Sequence, residues 1–159
     1  MNQYFNLMIK KNFIKIFIIL FLFSGCGYAP IYSNKDLNFS ILDLKTIGNN
    51  KLNQIIENRL KGYKNSNAEK KLNLMIDTNF EKMIVSKDSK GNPKIFRITL
   101  KSKILVSNLD GITKEKNFSK SLDYNNRNKK SELKSYENEA AKNLAEKISE
   151  EIIIYLISS

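Results

Sequence analysis

The 159-residue chain has no histidine, no tryptophan and one cysteine, Cys26. Without histidine, imidazole acid–base catalysis, Ser-His and Cys-His nucleophile pairs and any Cys/His zinc site are excluded together. The chain is therefore expected to be no enzyme and to carry no metal and no cofactor. A single thiol cannot close an internal disulfide, so the compartment must be read from elsewhere in the sequence. Arginine is scarce, with only Arg59, Arg97 and Arg127 against 24 lysines. Lysine, asparagine and isoleucine are abundant, and A/T-rich coding sequence favours the same residues. The placement of charge is accordingly more informative than the net value of +11.

Residues 1–25 contain Lys10, Lys11 and Lys15, no acidic residue, and the apolar run Ile16 to Phe23. Eight apolar residues are too few to span a bilayer, which takes about 20. A basic stretch, a short apolar run and small residues after it make a secretory signal peptide. Ser24-Gly25-Cys26 follows, the arrangement of a bacterial lipobox, with Phe23 where leucine is usual. The segment resembles a type II signal sequence, which implies that Cys26 is lipid-modified and begins the mature chain. Several acyl chains, each contributing about 0.8 kcal/mol per buried CH₂, make such an anchor effectively permanent. Gly27, rather than aspartate, follows the cysteine. By the same resemblance this implies an outer-membrane address, on the periplasmic side.

The expected organisation is a signal peptide over 1–25, a lipid-anchored lead-in over 26–36 containing Pro30, and one domain over 37–159. Phe39 to Lys45 is a short strand, and Gly48-Asn49-Asn50 supplies a stop and a helix N-cap. Leu52, Ile55, Ile56, Leu60 and Tyr63 form one helical stripe. The period then becomes two: Leu72, Leu74, Ile76, Thr78 and Phe80 share a face, and after the turn formers Ser86 to Pro93 so do Phe96, Ile98, Leu100, Ile104 and Val106. Asn108-Leu109-Asp110-Gly111 turns the chain again. Ile112 to Tyr124 follows as a weaker, polar edge strand. A final helix starts near Ser131 with Leu133, Tyr136, Ala140, Leu144, Ile148, Ile152 and Tyr155 on one stripe. Its isoleucine-rich end, apolar nearly all round, is expected to be buried on two sides or offered to a partner, with burial against this domain the favoured reading. The order β-α-β-β-β-α predicts an α+β two-layer sandwich, with two helices on one face of a four-stranded sheet.

Residues 64–103 carry ten basic and four acidic side chains, whereas residues 131–159 carry three and six. Two loops concentrate the cations: Lys87, Lys90 and Lys94 around the first hairpin turn, and Arg127, Lys129 and Lys130 before the last helix. Lysine binds phosphate as a point charge, without bidentate geometry. Nucleic acid is not the expected partner, because the leader directs export and no reading motif is present. A hydrolase would need paired carboxylates, such as Asp77 and Glu81. Their i, i+4 spacing on a strand separates them by about 13 Å, beyond the roughly 5–9.5 Å of hydrolytic pairs.

Cys26-Gly27-Tyr28-Ala29-Pro30-Ile31-Tyr32, the strand Phe96 to Leu100, Asp123-Tyr124-Asn125 and the ending Ala140 to Ile148 together resemble the lipopolysaccharide-assembly lipoprotein (LptE) family, in its alphaproteobacterial form. The likeness spans residues 16–157. It implies a non-enzymatic lipoprotein that sits inside the outer-membrane β-barrel LptD, assists its assembly, plugs it and helps deliver lipopolysaccharide to the outer leaflet. It further implies that the two basic loops touch lipopolysaccharide, which by position selects Lys87, Lys90, Lys129 and Lys130. The alternative is a free, periplasm-facing lipoprotein acting as an envelope scaffold or carrier without a barrel partner.

Overall fold

The structure, a computed structural model of the full chain, describes residues 39–64 and 68–158. Cys26, the expected signal peptide and the lead-in lie outside the described residues. Strand β1 (Phe39–Gly48) leads into helix α1 (Asn50–Leu60), which ends in a 3-10 turn (Lys61–Tyr63). Strands β2 (Lys70–Lys87), β3 (Pro93–Asn108) and β4 (Thr113–Asn125) follow, and then helix α2 (Lys130–Ser158). This is the expected order, and the four strands form one sheet in the order β1-β2-β3-β4.

β2, β3 and β4 pair antiparallel through short turns, whereas β1 pairs with β2 in parallel, from Phe39 opposite Lys70 to Gly48 opposite Thr78. Parallel neighbours need a crossover, and α1 with its 3-10 turn supplies it. Alternation divides the sheet into two faces. Leu72, Leu74, Ile76, Phe96, Ile98, Leu100, Ile104 and Val106 are buried on the inner face. They meet Leu52, Ile56 and Leu60 of α1 and Ala140, Leu144, Ala145, Ile148, Ile152 and Leu156 of α2. Phe80, placed on the same face from its spacing, is only half-buried. The outer face is largely polar and cross-linked, with Met75 and Met83 exposed among its polar residues. Arg97 makes a bidentate pair with Asp123 at 2.6 and 2.7 Å, Thr99 meets Ser121 at 2.9 Å, Lys101 reaches Glu81 at 3.1 Å, and Lys103 reaches Glu115 at 2.9 Å.

Where β1 turns into α1, a buried polar hub replaces apolar packing. Thr78 donates from its hydroxyl to Asn53 Oδ1 at 2.6 Å, and the Asn53 amide donates to the Ile47 carbonyl at 3.0 Å. The Asn49 backbone N–H donates to the Thr78 hydroxyl at 3.2 Å, and the Asn49 side chain caps α1 by accepting from the Leu52 N–H at 3.2 Å. Asn49, one of the residues of the predicted stop and cap, is thus the N-cap. Gly48 has φ +98°, and a Cβ there would lie 1.9 Å from the Thr78 carbonyl oxygen. Only glycine fits this close approach.

The end of α2 departs from expectation. Ile152, Ile153 and Leu156 are buried, but Ile154 and Ile157 are 51% and 45% exposed. Burial is one-sided because the sheet and α1 together cover only part of the helix circumference and leave the remaining side to solvent. No helix among the described residues is long and apolar enough to cross a membrane.

Candidate functional site

The two lysine-bearing loops, separated by more than thirty residues in sequence, meet at one end of the sheet. The β2–β3 turn is organised by Asp88. Its carboxylate accepts from the N–H groups of Lys90 at 2.9 Å and Asn92 at 2.8 Å and from the Asn92 amide at 3.2 Å, while Gly91 takes φ +85°. These bonds, those from Asn92 foremost, hold the Asp88 carboxyl below its ordinary pKa. Opposite, the β4–α2 linker is clamped by Asn126. Its N–H donates to the Lys94 carbonyl at 2.8 Å and its side-chain amide donates to the Pro93 carbonyl at 2.9 Å. Between the two loops lies an open depression of about 540 Å³ lined by Asp88, Pro93, Lys94, Asn125, Asn126 and Asn128 among others.

Of the four lysines assigned from sequence, Lys87 ends β2, Lys90 sits within the turn, Lys129 precedes α2 and Lys130 is its first residue. All four are exposed, and none lines the depression itself. Lys129 is paired with Glu132 at 3.0 Å. The structure therefore unites the two loops while placing Lys94, which sequence reasoning named but did not select, in the lining. Asn126 was missed altogether, because a side chain that bridges loops carries no periodic or charge signature. Lys129 and Lys130 stand at the N-terminus of α2, where the helix dipole favours anions and disfavours cations by roughly 0.3–1 kcal/mol. Two lysines there raise the local positive potential, and Glu132 in the first turn offsets part of it.

Behind the depression, an aromatic and ionic stack fixes the hairpin to α2. Phe96, Tyr124 and Tyr136 follow one another at centroid spacings of 5.7 and 5.5 Å. The Arg127 guanidinium lies 4.5 Å from the Tyr136 ring centre, and the Lys82 ammonium 4.2 Å from that of Phe96. Glu137 accepts from Lys82 Nζ at 2.5 Å and from the Tyr124 hydroxyl at 2.7 Å. Burial pushes the Glu137 carboxyl up, but the bonds from Lys82 and Tyr124 outweigh it and leave its pKa lowered. Tyr124 is raised, by burial first and by the neighbouring Glu137 carboxylate second. Arg97 is likewise raised and Asp123 lowered by their mutual hydrogen bonds. Asp77 and Glu81 lie on the exposed outer face, Glu81 with Lys101 as its partner.

A set of cations on rigid loop stems, with no assembled nucleophile and base among the described residues, can bind anions and position them. No protein-family model matches the sequence, and no curated protein matches it. Solved structures do share the fold. The rare lipoprotein B of Shewanella oneidensis superposes with a TM-score of 0.56 at 17% identity, covering 73% of this chain and 94% of that one. A minor lipoprotein of Acinetobacter baumannii gives 0.59 at 9% identity over 77% and 92%. Lipoprotein B of Nitrosomonas europaea gives 0.51 at 12% identity over 78% and 88%. At these identities the likeness is one of fold, and the fold is one that bacterial lipoproteins use.

Proposed function

We propose that the chain is an outer-membrane lipoprotein of the LptE type, tethered through acylated Cys26 on the periplasmic side. In this reading it binds and plugs an LptD-like β-barrel, assists its assembly, and contacts lipopolysaccharide on the way to the outer leaflet. The observation that carries the reading is the meeting of the two cationic loops at one end of a fold shared with bacterial lipoproteins. Lys87, Lys90, Lys129 and Lys130, with Lys94 between them, offer point charges to the phosphates of lipid A. The depression between the loops leaves room for a headgroup. The largely polar, cross-linked outer face suits a plug that must stay solvated beside a barrel wall.

The mechanism is binding alone. Exposed cations act over about 8 Å at physiological ionic strength, so their contribution falls as salt rises. Replacing Lys87, Lys90, Lys129 and Lys130 with serine should weaken lipopolysaccharide binding at low salt and flatten its salt dependence, while circular dichroism and the denaturation midpoint stay unchanged. Unchanged binding at low salt would remove these residues from the site. Affinity capture from detergent-solubilised membranes should recover a large β-barrel, and depletion of the protein should leave that barrel misassembled. Recovery of a lone monomer, with the barrel unaffected, would favour the scaffold or carrier alternative.

A further inference from the structure

The end of the sheet opposite the lysine tip has a different character. The β3–β4 turn presents Leu109, 68% exposed, and Ile112, 60% exposed, held outward by the turn's own hydrogen bonds. Asn108 accepts from the Ile112 N–H at 2.8 Å and donates to the Asp110 carboxylate at 3.1 Å. Ile112 borders a small depression of about 90 Å³ with Lys70 and Lys114. Lys70, Lys71, Lys114 and Lys116 have no ion-pair partner among the described residues. Of the acidic side chains at this end, Glu115 is taken by Lys103, Asp110 is bonded within the turn, and Glu69 stands free of ion pairs among the described residues.

Helix α2 runs antiparallel to β4, so its C-terminal turns lie over the half of the sheet nearer this end. Glu151 pairs with Lys120, and farther along Tyr155 meets Phe118. The chain also enters the sheet here, since Phe39 pairs with Lys70.

We infer that this end, formed by Leu109, Ile112 and their flanking lysines, is a docking surface for the interface of an anionic lipid bilayer. The inference rests on the lipid-anchored reading of Cys26 and concerns the protein before it is seated in a barrel, since a seated plug faces the barrel wall. The thirteen residue steps from Cys26 to Phe39 span at most about 45 Å when fully extended. The strand from Lys70 to Lys87 is itself about 55 Å long. An anchor at Cys26 therefore confines the chain's entry point to within about 45 Å of the bilayer and raises the effective concentration of the apolar end there, whereas the lysine tip can stand a further strand length away. Two exposed apolar residues bounded by lysines match the headgroup region, where apolar side chains enter shallowly and cations meet anionic lipid. The charge of Asp110 limits the depth to that region.

The test uses the full acylated chain in vesicles of phosphatidylethanolamine and phosphatidylglycerol. Acylation consumes the Cys26 thiol, so a spin label attaches only at an introduced cysteine. In Ile112→Cys the label should be several-fold more accessible to oxygen, relative to a water-soluble nickel chelate, than in Ser89→Cys at the tip. Changing Lys70, Lys71, Lys114 and Lys116 to serine should return the label at position 112 toward water. Equal aqueous accessibility at both positions would overturn the inference, as would a label at 112 shielded from both reagents, which would indicate a protein contact. Mass analysis of the N-terminus separates the two failures: an unacylated chain removes the anchor and this surface together, whereas an acylated chain with a water-exposed position 112 removes the surface alone.

Discussion

Gly48 carries a constraint that no neighbour can relieve. A methyl group there would meet backbone, the Thr78 carbonyl, at 1.9 Å, in a φ region that L-residues rarely adopt. Gly48→Ala should therefore separate β1 from β2 at that point and lower stability by about 1–3 kcal/mol, the scale of strained backbone, as read by urea denaturation. Glu137 shows a different logic. Truncation to alanine leaves the Tyr124 hydroxyl without its acceptor and Lys82 without its carboxylate, at a cost of about 1–3 kcal/mol. Combining Glu137→Ala with Tyr124→Phe should cost less than the two singles added, because both remove the same bond. Strict additivity in that cycle would show that the bond contributes nothing. Ser102 predicts the opposite sign. Its hydroxyl is buried on the inner face with no hydrogen-bond partner among the described residues, so Ser102→Ala should be neutral or should stabilise by up to about 1 kcal/mol.

At the scale of elements, α2 owes its place to one stripe. Ile148 is fully buried at its centre, and Ile148→Ala should cost about 2–5 kcal/mol, less the small gain from alanine's helix propensity. The same substitution at half-exposed Ile154 should be near neutral, and a denaturant series on both variants checks the contrast. That stripe was legible in the sequence because 3.6-residue spacing places Ala140, Leu144, Ile148 and Ile152 on one side regardless of what they pack against. The inner faces of β2 and β3 were legible for the same reason, at period two. One-sided burial at the end of α2 was not legible. Ile152 to Ile157 are apolar all round, and which flank is covered depends on where the sheet stops. Strand order was hidden too. The parallel pairing of β1 with β2 depends on the length of the α1 crossover and on the hub around Thr78 and Asn53, both long-range. The lysine loops could be found from charge, but their union could not, since it hangs on Asn126 reaching two backbone carbonyls.

For the molecule as a whole, the lack of histidine sets the pH response. No side chain with an ordinary pKa titrates between about pH 5 and 8, so stability should be flat across that range. Asp88, Asp123 and Glu137 all have folded-state pKa values below their ordinary ones of 3.8 and 4.5. A group so shifted contributes its full stabilisation above its unfolded-state value and loses it as pH falls through the folded-state value. The thermal midpoint should therefore hold to about pH 5 and fall progressively below it, which a calorimetric pH series would record. A midpoint that instead changed between pH 6 and 8 would contradict this account.

The parallel β1–β2 pairing also bears on mechanics. A pull arriving through the N-terminal tether, and resisted at the far tip by whatever holds it, is directed along the strand axes. The bonds between Phe39–Gly48 and their partners on β2 then carry the load in shear, all at once. A hairpin entered from its open end would unzip bond by bond, and by comparison this edge is built to take tension.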